Sequence, residues 1–216
     1  MAPDALNRLP TDTDDGMVLV ISGPSGAGKT TITRAVERAF GDAVFSVSAT
    51  TRARTPADVE GVDYHFVSEE EFSRMVEGDE FLEHAGVYGK RYGTPRGWVM
   101  EQLRRGRLVI LEIDVQGAIN VKRSLPEAFS IFVLPPSEEE LLRRLRDRRR
   151  EDEARIQARF SQARNEIAAA QTCGVYDRFI VNDNLESAIN EAITQVRSER
   201  ARRREKARMR DASGTR

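Results

Sequence analysis

Residues 22–31, SGPSGAGKTT, combine glycines with a lysine and two threonines in a spacing that suits a phosphate chain. Gly23, Gly28, Lys29 and Thr30 satisfy the phosphate-loop pattern, in which four variable residues separate a glycine from Gly-Lys-Thr. Glycines let the backbone turn so that successive N–H groups point at phosphate oxygens. Lys29 adds a mobile cation for the β- and γ-phosphates, and the Thr30 hydroxyl is a hard oxygen ligand suited to Mg²⁺. The stretch therefore predicts a nucleoside triphosphate site rather than a plain turn.

The elements on either side of this stretch are the ones that such a loop requires. Residues 17–21, MVLVI, predict a short buried strand, and apolar side chains then recur with helical spacing from Ile32 to Phe40. The N-terminus of that helix would direct unpaired N–H groups and the positive end of its dipole at the same anion. Strand, loop and helix thus follow one another in the necessary order.

The rest of the chain continues the alternation of strands and helices. Apolar runs at 108–114, 130–134 and 178–182 predict three more strands. Strands that alternate with helices favour a parallel sheet with right-handed crossovers. Four further helices are predicted. The first begins at Val115, the second begins at a capping box of Ser137 and Glu140, the third covers 156–170, and the fourth extends from Leu185 to Val196.

Three segments lie outside this alternation. Residues 45–98 contain short β-like pieces and a polar run, and we interpret them as a lobe inserted between the first helix and the second core strand. Residues 1–16 lack an apolar period, which predicts disorder. Residues 198–216 form a basic tail. A solvated helix end that frays is the expected interpretation of the tail, and contact with nucleic acid or an acidic partner is the alternative.

Composition argues against several classes of function. A length of 216 residues fits one domain. The net charge of -1 argues against general nucleic-acid binding. Cys173 is the single cysteine, so we expect neither an intrachain disulfide nor a thiolate metal cluster. The N-terminus lacks the features of a secretory signal, and no apolar run approaches the ~18 residues of a membrane span. We therefore expect a soluble, cytoplasmic protein without a nucleic-acid or membrane partner.

The inserted segment carries polar groups that could hold a second, smaller anion. It contains SVSATTR at 46–52, EGVDYHF at 60–66, EFLEHA at 80–85 and YGKRYGT at 88–94. Hydroxyl groups, an arginine and tyrosines on short strands could together form a pocket for such an anion. Because they accompany a phosphate loop, they are candidates for the site of the second substrate.

These motifs, with LEIDVQG at 111–117, IFVLPPS at 131–137 and IVNDN at 180–184, make the chain resemble the guanylate kinase family over residues 17–196. The resemblance implies a P-loop NTPase-type three-layer α/β fold, with a parallel sheet flanked by helices, an inserted GMP-binding lobe and a helical lid. It also implies transfer of the γ-phosphoryl group of ATP to GMP, with Mg²⁺ as cofactor. The implied single domain covers 17–210, with a core at 17–44, 99–142 and 161–197, the GMP-binding lobe at 45–98 and the lid at 143–160.

Individual roles follow from the same resemblance, position by position. The implied ATP-binding residues are Gly23, Pro24, Ser25, Gly26, Ala27, Gly28, Lys29, Thr30, Thr31, Arg144 and Asn182. The implied GMP-binding residues are Ser48, Arg52, Tyr64, Glu83, Tyr92, Thr94 and Asp114. Catalytic roles are implied for Lys29, Arg148 and Arg159, and Thr30 is the implied metal ligand.

The chemistry of GMP agrees with these roles. Guanine presents N1–H and N2–H₂ side by side, and an ionised Glu83 can accept both hydrogen bonds. Adenine would leave that carboxylate facing a lone pair, and a site built on hydrogen bonds can reject such a mismatch by roughly 10⁴-fold or more. Arg52 can grip two phosphate oxygens, while Tyr64 and Tyr92 donate hydrogen bonds without adding charge. The GMP phosphate is mostly a dianion at neutral pH, so the transfer requires no general base.

Two positions depart from the family pattern, and two other functions remain open. Thr55 stands where the family usually has a second base after Arg52, so either Arg54 reaches the phosphate or one contact is missing. Glu112 stands where the family usually has an aspartate. The alternatives are a binding module without catalysis, like the related domains of membrane scaffold proteins, and a kinase of the same fold acting on a sugar phosphate. A monomer and a homodimer are equally compatible with the sequence.

Overall fold

The computed structural model describes residues 16–87, 89–147 and 152–213. The disorder predicted for residues 1–16 falls outside these ranges except at Gly16. Arg148, with its predicted catalytic role, also lies outside the described residues. The described strands are β1 (Met17–Ser22), β2 (Ala43–Phe45), β3 (Ala49–Thr50), β4 (His65–Phe66), β5 (Phe81–Val87), β6 (Lys90–Pro95), β7 (Leu108–Glu112), β8 (Phe129–Leu134) and β9 (Arg178–Val181). The described helices are α1 (Lys29–Ala39), α2 (Glu69–Glu77), α3 (Arg96–Arg104), α4 (Val115–Ser124), α5 (Glu138–Asp147), α6 (Glu153–Cys173) and α7 (Leu185–Ser213).

A parallel sheet in the order β2-β7-β1-β8-β9 forms the centre of the fold. All six residues of β1 are buried, because β1 lies in the middle of the sheet. Its side chains alternate between two cores, one with α1 and α7 and one with α3 and α4. The predicted parallel sheet flanked by helices is confirmed. The carboxyl ends of β1 and β7 lie at one edge of this sheet, which is where open α/β sheets bind ligands.

β2 is a core strand that the sequence analysis missed. Ala43–Phe45 pairs in parallel with β7, and Phe45 lies opposite Ile110. Phe45 thus belongs to the central sheet, although the predicted lobe begins at residue 45. Three residues are too few to give a periodic apolar pattern, and for that reason the strand has no clear signal. α3 was missed as well, and its Val99 is fully buried in the core.

A second, smaller sheet in the order β4-β3-β6-β5 lies between β2 and α3 in the chain. Phe72 of α2 and Phe81 of β5 form part of its own small core. β5 also connects the two sheets, because Leu82 is buried among the residues of the central core. Asn120 and Ser124 of α4 donate hydrogen bonds to main-chain carbonyls of β5. These contacts fix the position of Glu83, the residue that follows Leu82.

α7 continues well past Val196, where the sequence predicts that its apolar face fades. The expectation of a solvated, fraying end is wrong for Arg200, which is only 5% exposed. Its guanidinium donates two hydrogen bonds, of 2.9 and 2.6 Å, to the carboxylate of Asp42. Although α7 is 29 residues long, no helix in the described part of the chain has an apolar stretch that could cross a membrane.

Candidate active site

The phosphate loop, residues 23–30, connects β1 to α1 as predicted. Gly23 and Gly28 have φ angles of 152° and 93°, in the region that favours glycine. A Cβ atom at Gly23 would lie 2.4 Å from the carbonyl oxygen of Val133, and one at Gly28 would lie 2.3 Å from Nδ2 of Asn182. Both glycines are therefore required by backbone angle and by close packing.

Hydrogen bonds from outside and inside the loop hold its shape. Nδ2 of Asn182 donates to the Ala27 carbonyl at 2.7 Å, and Nζ of Lys29 donates to the Pro24 carbonyl at 3.1 Å. Arg159 donates from Nη2 to the hydroxyl of Ser25. Within the described part of the chain no side chain caps the N-terminus of α1, and a helix N-terminus of this kind suits an anion. The loop therefore has the form of a phosphate cradle.

A cleft of about 290 Å³ opens between the phosphate loop and the second sheet. It brings Gly23, Ser25 and Lys29 of the predicted ATP site together with five residues of the predicted GMP site, Ser48, Tyr64, Glu83, Tyr92 and Asp114. Residues far apart in the chain are brought together because the loop and the end of β7 share one edge of the central sheet. The cleft is lined by Gly23, Ser25, Lys29, Ser48, Tyr64, Glu83, Ala85, Tyr92, Glu112, Ile113, Asp114 and Glu166.

Glu83 is a buried carboxyl group in the wall of this cleft, with 6% of its surface exposed. The hydroxyl of Thr94 donates to its Oε1 at 2.6 Å. Burial raises the pKa of Glu83 to about 7, although the hydrogen bond from Thr94 opposes that shift. On the other side, a Cβ atom at Gly117 would lie 2.9 Å from Oε2. The carboxyl group is therefore fixed between Thr94 and Gly117, a glycine that sequence analysis quoted only within a motif.

Two further carboxyl groups lie at the end of β7. Asp114 is the N-cap of α4, and its Oδ1 accepts the main-chain N–H of Gly117 at 2.8 Å. Burial raises the pKa of Asp114. Oε1 of Glu112 accepts the hydroxyl of Thr30 at 2.9 Å. The glutamate that departs from the family pattern thus contacts the predicted metal ligand directly.

The aromatic and cationic groups of the predicted GMP-phosphate site form a cluster. The rings of Tyr64 and Tyr92 lie 5.6 Å apart, and the Arg52 guanidinium lies 5.2 Å from the Tyr64 ring. Burial raises the pKa of Tyr64, so its hydroxyl is protonated at neutral pH. Arg54 is exposed and donates from Nε to the main-chain carbonyl of Asp58. In this structure Arg54 is thus engaged with its own loop.

Other predicted residues lie outside the lining of the cleft. Arg144 donates to Glu140 at 2.7 Å and to the Asn182 carbonyl at 2.9 Å. Because Asn182 in turn donates to the Ala27 carbonyl, Arg144 supports the phosphate loop through Asn182. The main-chain N–H of Glu140 donates to the Ser137 hydroxyl, which is one half of the predicted capping box, and the Glu140 carboxylate accepts hydrogen bonds from Arg143 and Arg144. Thr31 is exposed on α1.

Glu166, which lines the cleft from α6, is not among the site residues predicted from the sequence. Burial raises its pKa, and the positive charge of Lys29 opposes that shift. Glu166 lies seven residues, or two helical turns, after Arg159, so both occupy one face of α6. That spacing is the signal that could have identified it.

Comparisons with known proteins agree with this geometry. The family model described as guanylate kinase matches residues 15–199. The guanylate kinase of Coxiella burnetii is 46% identical over 186 residues, which cover 86% of this chain and 89% of that protein. The guanylate kinase of Synechococcus elongatus is 48% identical over 174 residues, covering 81% and 93%. The crystal structure of guanylate kinase from Anaplasma phagocytophilum has a TM-score of 0.69 at 34% identity and covers 88% of this chain and 89% of its own.

Proposed function

This chain belongs to the guanylate kinase family, and we propose that the cleft beside the phosphate loop is its active site. The activity is the ATP-dependent phosphorylation of GMP to GDP. One observation carries the proposal for the site. Lys29 of the phosphate loop and the buried carboxyl group of Glu83 line the same cleft. A cation for the donor phosphates and an acceptor for guanine are thus combined in a single space.

We propose that residues 23–31 bind the triphosphate of ATP. The N-terminus of α1 and the loop amides would bond its phosphate oxygens. Lys29, which donates to the Pro24 carbonyl in this structure, would instead donate to the β- and γ-phosphates when ATP binds. Arg159 donates to Ser25 of the loop and would interact with the same phosphates. Arg144 and Asn182 would act by holding the loop. Arg148, outside the described residues, is proposed as a further cation.

We propose that Glu83 selects guanine. In its ionised form it accepts N1–H and N2–H₂, while Thr94 holds its other edge in place. Ser48 would bond near O6 of the base, Asp114 would contact the nucleoside, and Arg52 with the two tyrosines would bind the phosphate. A GMP phosphate oxygen is itself the nucleophile, so the protein's task is to align two polyanions and shield their charge.

Mg²⁺ fits the end of the cleft beside Thr30. The hydroxyl of Thr30 and the carboxylate of Glu112 are hard oxygen donors that lie 2.9 Å apart. Among the described residues no group of three or more acidic, histidine or cysteine side chains could hold a metal. Mg²⁺ commonly binds through one or two protein oxygens together with substrate phosphates, so the two donors at Thr30 and Glu112 suit it. When bound, the ion would neutralise charge on the transferring phosphoryl group.

We further propose the segment roles and surroundings expected from the sequence. The second sheet and its loops, within 45–98, would carry GMP, and 143–160 would supply arginines to ATP. A net charge of -1 argues against general nucleic-acid binding. We propose that the protein acts on small nucleotides in the cytoplasm, without a nucleic-acid or membrane partner. A monomer and a homodimer are both compatible with this proposal.

A coupled assay of ADP formation tests the proposal. We expect ADP with GMP as acceptor, at least roughly 10⁴-fold less with AMP, and little with CMP or UMP. Lys29→Met should abolish turnover while the protein remains folded. Absence of ADP with every acceptor would favour a binding module, and turnover of a ribose bisphosphate would favour a sugar-phosphate kinase.

A further inference from the structure

The guanidinium of Arg52 is held by one carboxylate in a two-pronged geometry. Nη1 donates to Oδ2 of Asp58 at 3.0 Å, and Nη2 donates to Oδ1 at 2.8 Å. Parallel pairs of this kind are among the strongest hydrogen bonds that arginine makes. Both the main-chain N–H and the hydroxyl of Thr55 also donate to Oδ2, each at 2.7 Å. Arg52 first, and then Thr55, hold the pKa of Asp58 well below its usual range, so the carboxylate is always ionised near neutral pH.

Two aromatic rings also contact the Arg52 guanidinium. Its central carbon lies 5.2 Å from the Tyr64 ring and 5.3 Å from the Phe66 ring, within the range of cation–π attraction. Nη1 donates in addition to the Ala53 carbonyl at 3.2 Å. Arg52 is therefore held in a single orientation by hydrogen bonds and rings together.

One edge of the guanidinium is left for a ligand. Arginine presents five N–H donors in a planar fork. Asp58 occupies the edge between Nη1 and Nη2, and Ala53 takes the remaining hydrogen of Nη1. The edge formed by Nε and the outer hydrogen of Nη2 has no acceptor in the described part of the chain. That edge is itself a two-donor fork that matches two oxygens of a phosphate.

We propose that Asp58 is a positioning residue that presents the free Nε–Nη2 edge of Arg52 to the phosphate of GMP. The inference rests on the proposed function. Asp58 keeps its edge of Arg52 while the phosphate takes the other edge, so GMP does not have to displace the carboxylate. The subsite then carries almost no net charge, and it recognises phosphate through directed donors from Arg52, Tyr64 and Tyr92.

This arrangement also accounts for Thr55. A basic side chain at position 55 would compete with Arg52 for the Asp58 carboxylate. Thr55 instead adds a neutral hydroxyl donor to Oδ2, beside the main-chain N–H that most residue types would also supply, and these bonds steady Asp58 without drawing it away from Arg52. On this proposal the fixed orientation of Arg52 compensates for the missing base, and Arg54 does not need to reach the phosphate.

Asp58→Asn tests the proposal because it keeps the shape of the side chain and removes its charge. We expect KM for GMP to rise about 10- to 100-fold, since a charge-assisted pair is replaced by a weaker amide contact. KM for ATP should stay within about twofold. KM for GMP should also become more sensitive to salt, because Arg52 would then carry an uncompensated charge. Thr55→Val is the matched control: it removes one bond to Asp58, leaves the pair with Arg52, and should raise KM for GMP less than about threefold.

Three outcomes would overturn the proposal. A lower KM for GMP in Asp58→Asn would mean that Asp58 competes with the phosphate, and an unchanged KM would mean that it has no role. An equal rise in both KM values with a lower unfolding temperature would indicate a purely structural role. If Asp58→Asn does not fold, Asp58→Glu should bind GMP in calorimetry more weakly than the parent but keep its ATP affinity. A parent protein that binds no GMP would instead refute the proposed function.

Discussion

The two halves of the cleft are built in different ways. The phosphate loop uses consecutive residues, and its function depends on backbone angles at Gly23 and Gly28. The acceptor site, meaning the side chains proposed for GMP, draws on β5, β6, the end of β7 and the loops around β3 and β4. Its geometry depends on how the second sheet packs against α4. We therefore expect backbone changes to damage the ATP half, and side-chain chemistry to control the GMP half.

Glu83→Gln should have the largest effect and should confine it to the GMP half. The change replaces one acceptor oxygen by a donor that faces the N–H groups of guanine. We expect kcat/KM for GMP to fall on the order of 10²- to 10³-fold, while ATP binding is retained. Steady-state kinetics with a fluorescent ATP analogue for binding would measure both. Glu80→Gln, an exposed acid three residues away, is the control, and near-normal GMP turnover in Glu83→Gln would contradict the assignment.

Asn182→Ala tests whether loosening the backbone of the phosphate loop weakens the ATP half without affecting the GMP half. Asn182 is buried, bonds to the Ala27 carbonyl and packs against Gly28. Its loss should loosen the loop and raise KM for ATP about 10-fold, with KM for GMP unchanged. Asn120→Ala removes a similar bond, to the His84 carbonyl of β5, and should spare KM for ATP. A larger change in KM for GMP than for ATP after Asn182→Ala would break the division between the halves.

The pH dependence of GMP binding should show the smallest effect. Glu83 has a pKa of about 7 in the empty protein because burial disfavours its charged form. Guanine needs the ionised form, so affinity for GMP should rise about fourfold between about pH 6.5 and pH 8 and then level off. Calorimetry in buffers of different ionisation enthalpy would detect the proton released.

The titration of Glu83 must be separated from that of the bound GMP. The GMP phosphate ionises near pH 6, so Glu83→Gln should retain that smaller dependence alone. Burial also raises the pKa of Asp114. For stability the sign is opposite to that for binding: the raised pKa of Glu83 favours folding at low pH, and this contribution is lost as pH rises through about 7. Binding that weakens with rising pH would contradict the role of Glu83.

The loop could be predicted from sequence because its chemistry is local. Gly23, Gly28 and Lys29 lie within seven residues, and the flanking periodicity identifies the strand and the helix. Glu83 needed the family resemblance, since no local pattern distinguishes it from the acids around it. The partner pairs Thr30–Glu112 and Arg52–Asp58 could not be predicted, because they depend on side-chain directions set by tertiary packing. β2 was missed because three residues carry no period.

The ion pair between Arg200 and Asp42 ties α7 to the start of β2 beyond the end of the family match. The family model stops at residue 199, one position before Arg200. Both side chains are largely shielded, with 6% and 14% of their surfaces exposed. Removing one partner of a shielded pair costs more than the pair contributes, because the other charge is stranded. A protein that ends at residue 199 would keep every proposed catalytic group but would leave the Asp42 carboxylate beside β2 without Arg200. We therefore expect that the expressed enzyme must retain the part of α7 beyond residue 199 for full stability.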